Sequence, residues 1–131
     1  MPPAADKRPF PRREHVKSSA QIKRILDEGE SVYAYPIKCY YLVSEEATAR
    51  ARLAVMTPKR RFPRAVDRNR LKRLMRECFR LHKGLLDIPD GKCCSLCWIA
   101  VARTMPTFEE VRKAVVSLFQ SVNDNQKTCP A

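Results

Sequence analysis

The sequence predicts a single-domain α+β sandwich of order α-β-β-β-α-β-α, in which a strongly basic helix crosses from one strand to another. Three observations predict it. Apolar residues recur at three- and four-residue steps in three separate stretches, as on one-sided helices. β-branched and aromatic residues dominate from Ser31 to Thr57, and CCSLCWIAVA near the end is apolar on both faces, as in a covered central strand. With 131 residues and 44% hydrophobic content, the chain suits one core that buries roughly two-thirds of the unfolded surface.

Residues 1–16 hold four prolines and many charges but few core-forming side chains, so they are expected to form an extended or disordered basic arm. The folded domain is expected to span residues 17–122, with a tail from 123 to 131. Ser18-Ser19-Ala20-Gln21 fits a capping box, and Ile22, Ile25 and Leu26 continue it as an apolar stripe. Gly29 is expected to end this helix in a left-handed conformation. An extended piece near Val32–Tyr35, a break at Pro36 and a strand over 37–43 follow. The polar loop SEEATARA is short enough to make that strand and the next, RLAVMT at 52–57, antiparallel neighbours.

In the second helix Leu71, Leu74, Met75, Cys78, Phe79, Leu81 and Leu85 share one face. It starts either with Pro63 in its first turn or with Asp67 as cap, and ends near 84–86. Thr107-Phe108-Glu109-Glu110 is a second capping box, and Val111, Val115, Leu118, Phe119 and Val122 form the stripe of a last helix.

Charge is concentrated rather than spread. Residues 58–83 carry eleven Lys/Arg against Asp67 and Glu77, which is +9 of the chain's total of +12. Ordinary solvated helices alternate signs, whereas Lys72, Arg73, Arg76, Arg80 and Lys83 stack together, each repelling its neighbours by a few tenths of a kcal/mol at helical spacing. A bound polyanion relieves that repulsion, so this segment reads as a nucleic-acid surface. Phe10, Tyr33, Tyr35, Tyr40, Tyr41 and Phe62 are candidate stacking platforms for single-stranded RNA.

Other chemistries find no support. Cys94-Ser95-Leu96-Cys97 has the spacing of half a zinc site, but structural zinc needs four ligands and no second pair exists. The six cysteines (Cys39, Cys78, Cys93, Cys94, Cys97, Cys129) read as reduced packing groups. Neither His15 nor His82 has a motif pairing it with a nucleophile, and the carboxylates sit in a loop, a cap and a helix end. No catalytic residue, bound metal or protein-held cofactor is expected. The apolar runs IKCYYLV and LCWIAVA are too short for a membrane span and the N-terminus lacks a signal-peptide core, so a cytoplasmic protein with no membrane partner is expected.

The stretch Arg68-Asn69-Arg70-Leu71-Lys72-Arg73-Leu74-Met75-Arg76-Glu77, preceded by Pro58-Lys59-Arg60-Arg61-Phe62-Pro63-Arg64-Ala65-Val66-Asp67, resembles the signature of the bacterial ribonuclease P protein subunit. The likeness extends from Phe10-Pro11-Arg12 through Gly29, the strand at 52–57 and Ala102-Arg103. It implies a left-handed β-α-β crossover, against the usual right-handed preference. It also implies a ribonuclease in which a catalytic RNA, using magnesium, removes the 5′ leader of precursor tRNA while the protein assists without being catalytic. The partners implied are that RNA subunit and precursor tRNA, with one protein monomer per RNA.

Carried over by position, Arg64, Arg68, Asn69, Arg70, Lys72, Arg73, Arg76 and Arg80 would bind the RNA subunit. Phe10, Arg12, Ile22, Leu26, Tyr33, Tyr35, Lys59, Arg60 and Phe62 would bind the leader, in a cleft between the first helix and the sheet. The family usually has Phe where this chain has Ile22, and often an aromatic where it has Leu26, so stacking does not carry over to those two positions. The alternative from the residues alone is a structural RNA-binding protein such as a ribosomal component.

Overall fold

The computed structural model describes residues 14–16, 18–45, 51–88 and 91–128. The elements run α1 (Ser19–Glu28), β1 (Glu30–Ala34), β2 (Ile37–Glu45), β3 (Ala51–Met56), α2 (Ala65–His82), a single 3-10 turn (Lys83–Leu85), β4 (Lys92–Ala100) and α3 (Phe108–Thr128). This is the predicted α+β order. The four strands form one sheet of order β1-β2-β4-β3, in which β2 is antiparallel to both β1 and β4, and β3 is parallel to β4.

The expected pairing of β2 with β3 is therefore wrong, because β4 lies between them. Its cause is the two-sided apolar character of β4, whose Cys93, Cys94, Leu96, Cys97, Trp98 and Ala100 are all buried, which suits an interior strand covered on both faces. Two strand spacings, about 10 Å, are well within the reach of the five residues that link β2 to β3. The helix α2 then carries the chain back to the start of the sheet, which makes β4 parallel to β3.

Period-two alternation divides each strand between two layers. On one face Ile37, Cys39 and Tyr41 of β2, Leu53 of β3, and Cys94, Leu96 and Trp98 of β4 meet Leu71, Met75, Cys78 and Phe79 of α2 and Val111, Val115, Leu118, Phe119 and Val122 of α3. Trp98 is the centre of this core, with the Phe79 ring 5.9 Å away edge-on and the Phe119 ring at 5.7 Å. On the other face a smaller cluster of Val16, Ile25, Ala54 and Cys97 seats α1, with Ile22 and Leu26 half-buried against it.

Local chemistry at the helix ends follows the sequence in part. Thr107 and Glu110 complete a reciprocal capping box, the Glu110 amide donating to Thr107 Oγ1 at 3.2 Å and the Thr107 amide to Glu110 Oε1 at 3.1 Å. At α1 the Ser18 hydroxyl accepts from the Gln21 amide at 3.5 Å. Gly29, expected to be left-handed, is extended at φ −78° and ψ 166°. Its glycine is needed for space: a Cβ there would lie 2.5 Å from the Tyr41 carbonyl oxygen and closer still to that of Ile25. Neither proposed start of α2 holds, since the helix begins at Ala65 with Arg64 in the cap position and no side-chain cap, and Asp67 sits in its first turn.

Both ends of the predicted domain extend further than the sequence suggests. Val16 is buried and its amide donates to the Leu53 carbonyl at 3.0 Å, beside a parallel bridge from His15 to Leu53, so residues 14–16 belong to the fold. At the other end α3 continues past residue 122, and Asn123 bonds the Leu85 carbonyl and the Asp87 amide at 2.8 and 2.9 Å.

The five described cysteines are buried thiols, as expected of packing groups. Burial pushes the Cys97 thiol from 9.0 up to about 11, and the Cys78 and Cys94 thiols up to about 12. An unfolded chain loses these protons near pH 9.0 while the folded one keeps them, so above that pH the unfolded state binds fewer protons and gains. The stability these thiols contribute is fully present below about pH 9 and should fall as the pH rises towards their folded pKa values. Urea midpoints taken at pH 8 and pH 10 should differ accordingly; equal midpoints would mean that the thiols are solvated.

Candidate nucleic-acid interface

The strand register assembles a row of side chains that no single segment reveals. Tyr33 pairs with Lys38, Lys38 with Ile99, and Ile99 with Met56, so the four lie abreast across β1, β2, β4 and β3. They are on the α1 side of the sheet, because their neighbours Ala34, Ile37, Ala100 and Val55 belong to the core on the opposite face. The cluster under α1 takes in the adjoining Tyr40, Cys97 and Ala54, and the row beyond stays open: Tyr33 is 61% exposed and Met56 39%. Half-buried Ile22 and Leu26 line the α1 side of this strip.

Polar groups are placed along it. The Lys38 ammonium stands 5.2 Å from the centre of the Tyr40 ring, a cation–π distance. At the β1 end the half-exposed Tyr35 accepts a 3.4 Å hydrogen bond from the Arg103 amide. At the β3 end the chain turns over Pro58, whose carbonyl accepts from the amides of Arg61 and Phe62 at 3.1 and 3.0 Å. Lys59, Arg60 and Arg61 are exposed on this turn. Phe62, a sequence candidate for leader contact, is 5% exposed and its ring belongs to the main core. Phe10 and Arg12 lie outside the described residues.

The turn leads directly into α2, so the open strip and the basic helix share one end of the sheet. The helix does not present the ridge expected from its sequence. Arg80 is paired with Glu77 on its own helix, and Lys83 with Glu14, with both cations largely covered. Lys72 is half-buried. Two of the five repelling cations are thus neutralised within the protein, because Glu77 sits one turn away and the chain before α1 delivers Glu14. The exposed edge consists of Arg64, Asn69, Arg70, Arg73 and Arg76. Among the described residues, Arg70, Arg73 and Arg76 have no ion-pair partner. Arg68 is half-buried and turned inward, its Nη1 donating to the carbonyls of Phe62 at 2.9 Å and Pro63 at 2.8 Å.

Comparison with known proteins identifies the family. The family model described as Ribonuclease P matches residues 10–123. The chain belongs to the ribonuclease P protein family. The ribonuclease P protein component of Porphyromonas gingivalis is 36% identical over 99 residues, covering 72% of each chain, and that of Chlorobaculum tepidum is 35% identical over 81 residues, covering 59% of this chain and 53% of the relative. Among solved structures, the RNase P protein from Thermotoga maritima superposes with a TM-score of 0.67 at 24% identity, over 83% of this chain and 97% of that one. The RNase P protein of Staphylococcus aureus gives 0.65 at 21%, over 83% and 94%. These two likenesses concern the fold, including its mixed sheet and three helices.

As a member of the ribonuclease P protein family the chain is the protein subunit of a ribonucleoprotein that acts in tRNA 5′ processing, with an RNA partner. That sets aside the alternative of a ribosomal component. Among the described residues, no group of three or more His, Cys, Asp or Glu could hold a metal ion, and no helix is long and apolar enough to cross a membrane.

Lys38, Met56, Ile99 and Arg61 were not among the sequence candidates. Alternation alone puts Lys38 opposite Cys39 and Tyr41. Recognising the row also required the β2–β4 and β3–β4 registers, which the sequence does not carry.

Proposed function

We propose that this protein is a non-catalytic RNA-binding cofactor that grips the RNA subunit through the exposed edge of α2 and holds the single-stranded 5′ leader of precursor tRNA on the open strip beside α1. The observation that carries this reading is the adjacency of two different surfaces at one end of the sheet. Arg64, Asn69, Arg70, Arg73 and Arg76 offer exposed guanidinium forks and an amide, suited to phosphates of a structured RNA. Tyr33, Lys38, Met56 and Ile99 offer a flat, partly apolar floor with a cation beside it, suited to unstacked bases and a backbone. Lys59 and Arg60 stand at the join.

The floor differs from a stacking platform. With Ile22 and Leu26 aliphatic and Phe62 in the core, Tyr33 and Tyr35 are the described aromatics left exposed there. Leader binding on this chain therefore rests more on phosphate neutralisation and aliphatic contact than on ring stacking. If six leader phosphates are neutralised, the log–log salt slope should be about −4.

In this reading the phosphodiester hydrolysis, and the magnesium it uses, belong to the RNA subunit. The protein acts as one copy per RNA, in the cytoplasm, with Phe10 and Arg12 as added leader contacts. Reconstitution with a bacterial ribonuclease P RNA at low magnesium tests it. Adding the protein should restore 5′ cleavage and make precursor tRNA bind more tightly than mature tRNA. Equal affinity for the two, or trimming of precursor by the RNA-free polypeptide, would overturn the assignment.

A further inference from the structure

We propose that Val66 seats riboses of the RNA subunit against the first turn of α2 and supplies the uncharged part of that grip. The proposal rests on the reading of α2 as the RNA-subunit edge. It adds a residue that a charge pattern does not display.

Among the described residues, the exposed large hydrophobic side chains are Tyr33, Tyr35, Met56, Val66 and Leu85. Tyr33, Tyr35 and Met56 belong to the open strip and its β1 end, and Leu85 lies on the 3-10 turn after α2. Val66 is the most exposed of them, at 68%. It stands in the first turn of α2, and Asn69, Arg70 and Arg73, which follow it at three, four and seven residues, are exposed on the same side. Ala65 beside it is also exposed and too small to shield it. A single exposed apolar residue needs no explanation by itself. This one is set among cations, and a β-branched residue is a poor choice for an exposed helical turn.

Its position is fixed from below. The Phe62 ring, four residues earlier, belongs to the main core, and Arg61 ties the same turn to the segment leaving β4, its Nη1 donating to the Val101 carbonyl at 3.1 Å. The first turn of α2 therefore starts from an anchored point, and Val66 is presented at a set height.

Height decides what a valine can touch. Arg70 and Arg73 carry their charge at the end of long side chains and can hold phosphates at a range of distances. A valine is short and meets only what comes down to the helix surface. In A-form RNA the deep groove is closed to side chains, whereas the shallow groove presents riboses and base edges beside the phosphates. Phosphates drawn to the flanking guanidiniums bring the C–H faces of those riboses onto Val66. Such a contact responds to the shape of an RNA helix rather than to its sequence.

The experiment uses the full chain with a bacterial ribonuclease P RNA, comparing wild type with Val66→Ala, Val66→Thr and Val66→Ile. Val66→Ala should bind the RNA subunit about fivefold to tenfold more weakly, the loss expected for two buried methyl groups. Its salt slope should equal that of wild type, because an uncharged contact releases no counterions. Its melting temperature should be the same or higher, since alanine is the better helix former, so weaker binding will not be a folding defect. Val66→Thr, which exchanges a methyl for a hydroxyl at constant shape, should also weaken binding, and Val66→Ile should match or exceed wild type. Hydroxyl radicals cut RNA at exposed riboses, and a run of riboses protected by the wild-type protein should become cleavable under saturating Val66→Ala. Unchanged affinity in Val66→Ala, a flattened slope, wild-type binding by Val66→Thr, or an unaltered ribose footprint would each overturn the inference. A change in the oligomeric state of the RNA-free protein with RNA affinity intact would assign Val66 to a second copy of the chain and overturn it equally. Failure of the underlying reading is distinguishable, because replacing Arg70, Arg73 and Arg76 by alanine would then leave binding to the RNA subunit intact.

Discussion

Replacing Arg70, Arg73 and Arg76 together by alanine is expected to weaken binding to the ribonuclease P RNA subunit roughly a hundredfold at physiological salt, taking about 1 kcal/mol per lost phosphate contact. The three project from the exposed edge of α2 without an ion-pair partner among the described residues. Their removal therefore takes away charge directed at a ligand and leaves the packing untouched. The salt dependence should flatten by about 0.9 per contact, which a titration of affinity between low and physiological ionic strength will measure. Arg80→Ala, whose guanidinium already lies on Glu77, should change the slope less than any of the three. Thermal stability of the triple variant should equal or exceed that of wild type, since like charges at helical spacing repel.

Trp98→Ala is expected to destabilise the fold by about 3–5 kcal/mol, the usual cost of emptying a large aromatic site in a core. The indole is fully buried on the central strand and touches both covering helices through Phe79 and Phe119. Collapse into the vacancy is hindered because its neighbours are held by the sheet on one side and by two helices on the other. Against a total stability of about 5–15 kcal/mol, such a loss leaves a large unfolded fraction near body temperature. Urea unfolding followed by far-ultraviolet circular dichroism gives the number. The folded fraction that survives at low temperature should keep the wild-type salt slope for RNA, which separates a packing defect from a binding one.

The two variants mark the boundary between what could be read in the chain and what could not. Leu71, Met75, Cys78 and Phe79 were legible as one buried face because α-helical spacing alone aligns them. The capping box of Thr107 and Glu110 was legible for the same reason: its donors and acceptors are three residues apart. The likeness of residues 58–77 to a family pattern located the basic surface. It did not say which cations remain available, and it grouped Arg68 and Arg80 with Arg70 and Arg73. Arg80 answers to a glutamate on its own helix, a local pairing that the sequence contains but that its cationic context obscures.

Helices, the N-caps of the first and last, the buried faces and the site of the charge excess followed from residue order, because each depends on contacts within one or two turns or on strict alternation. Strand order, the row Tyr33–Lys38–Ile99–Met56 and the inward use of Arg61 and Lys83 belong to the folded molecule. Each joins groups far apart in the chain, such as Arg61 with Val101 over 40 residues and Lys83 with Glu14 over 69. A cation's availability to RNA is set by which carbonyl or carboxylate arrives beside it, and only packing of the whole sheet and its helices brings those partners in.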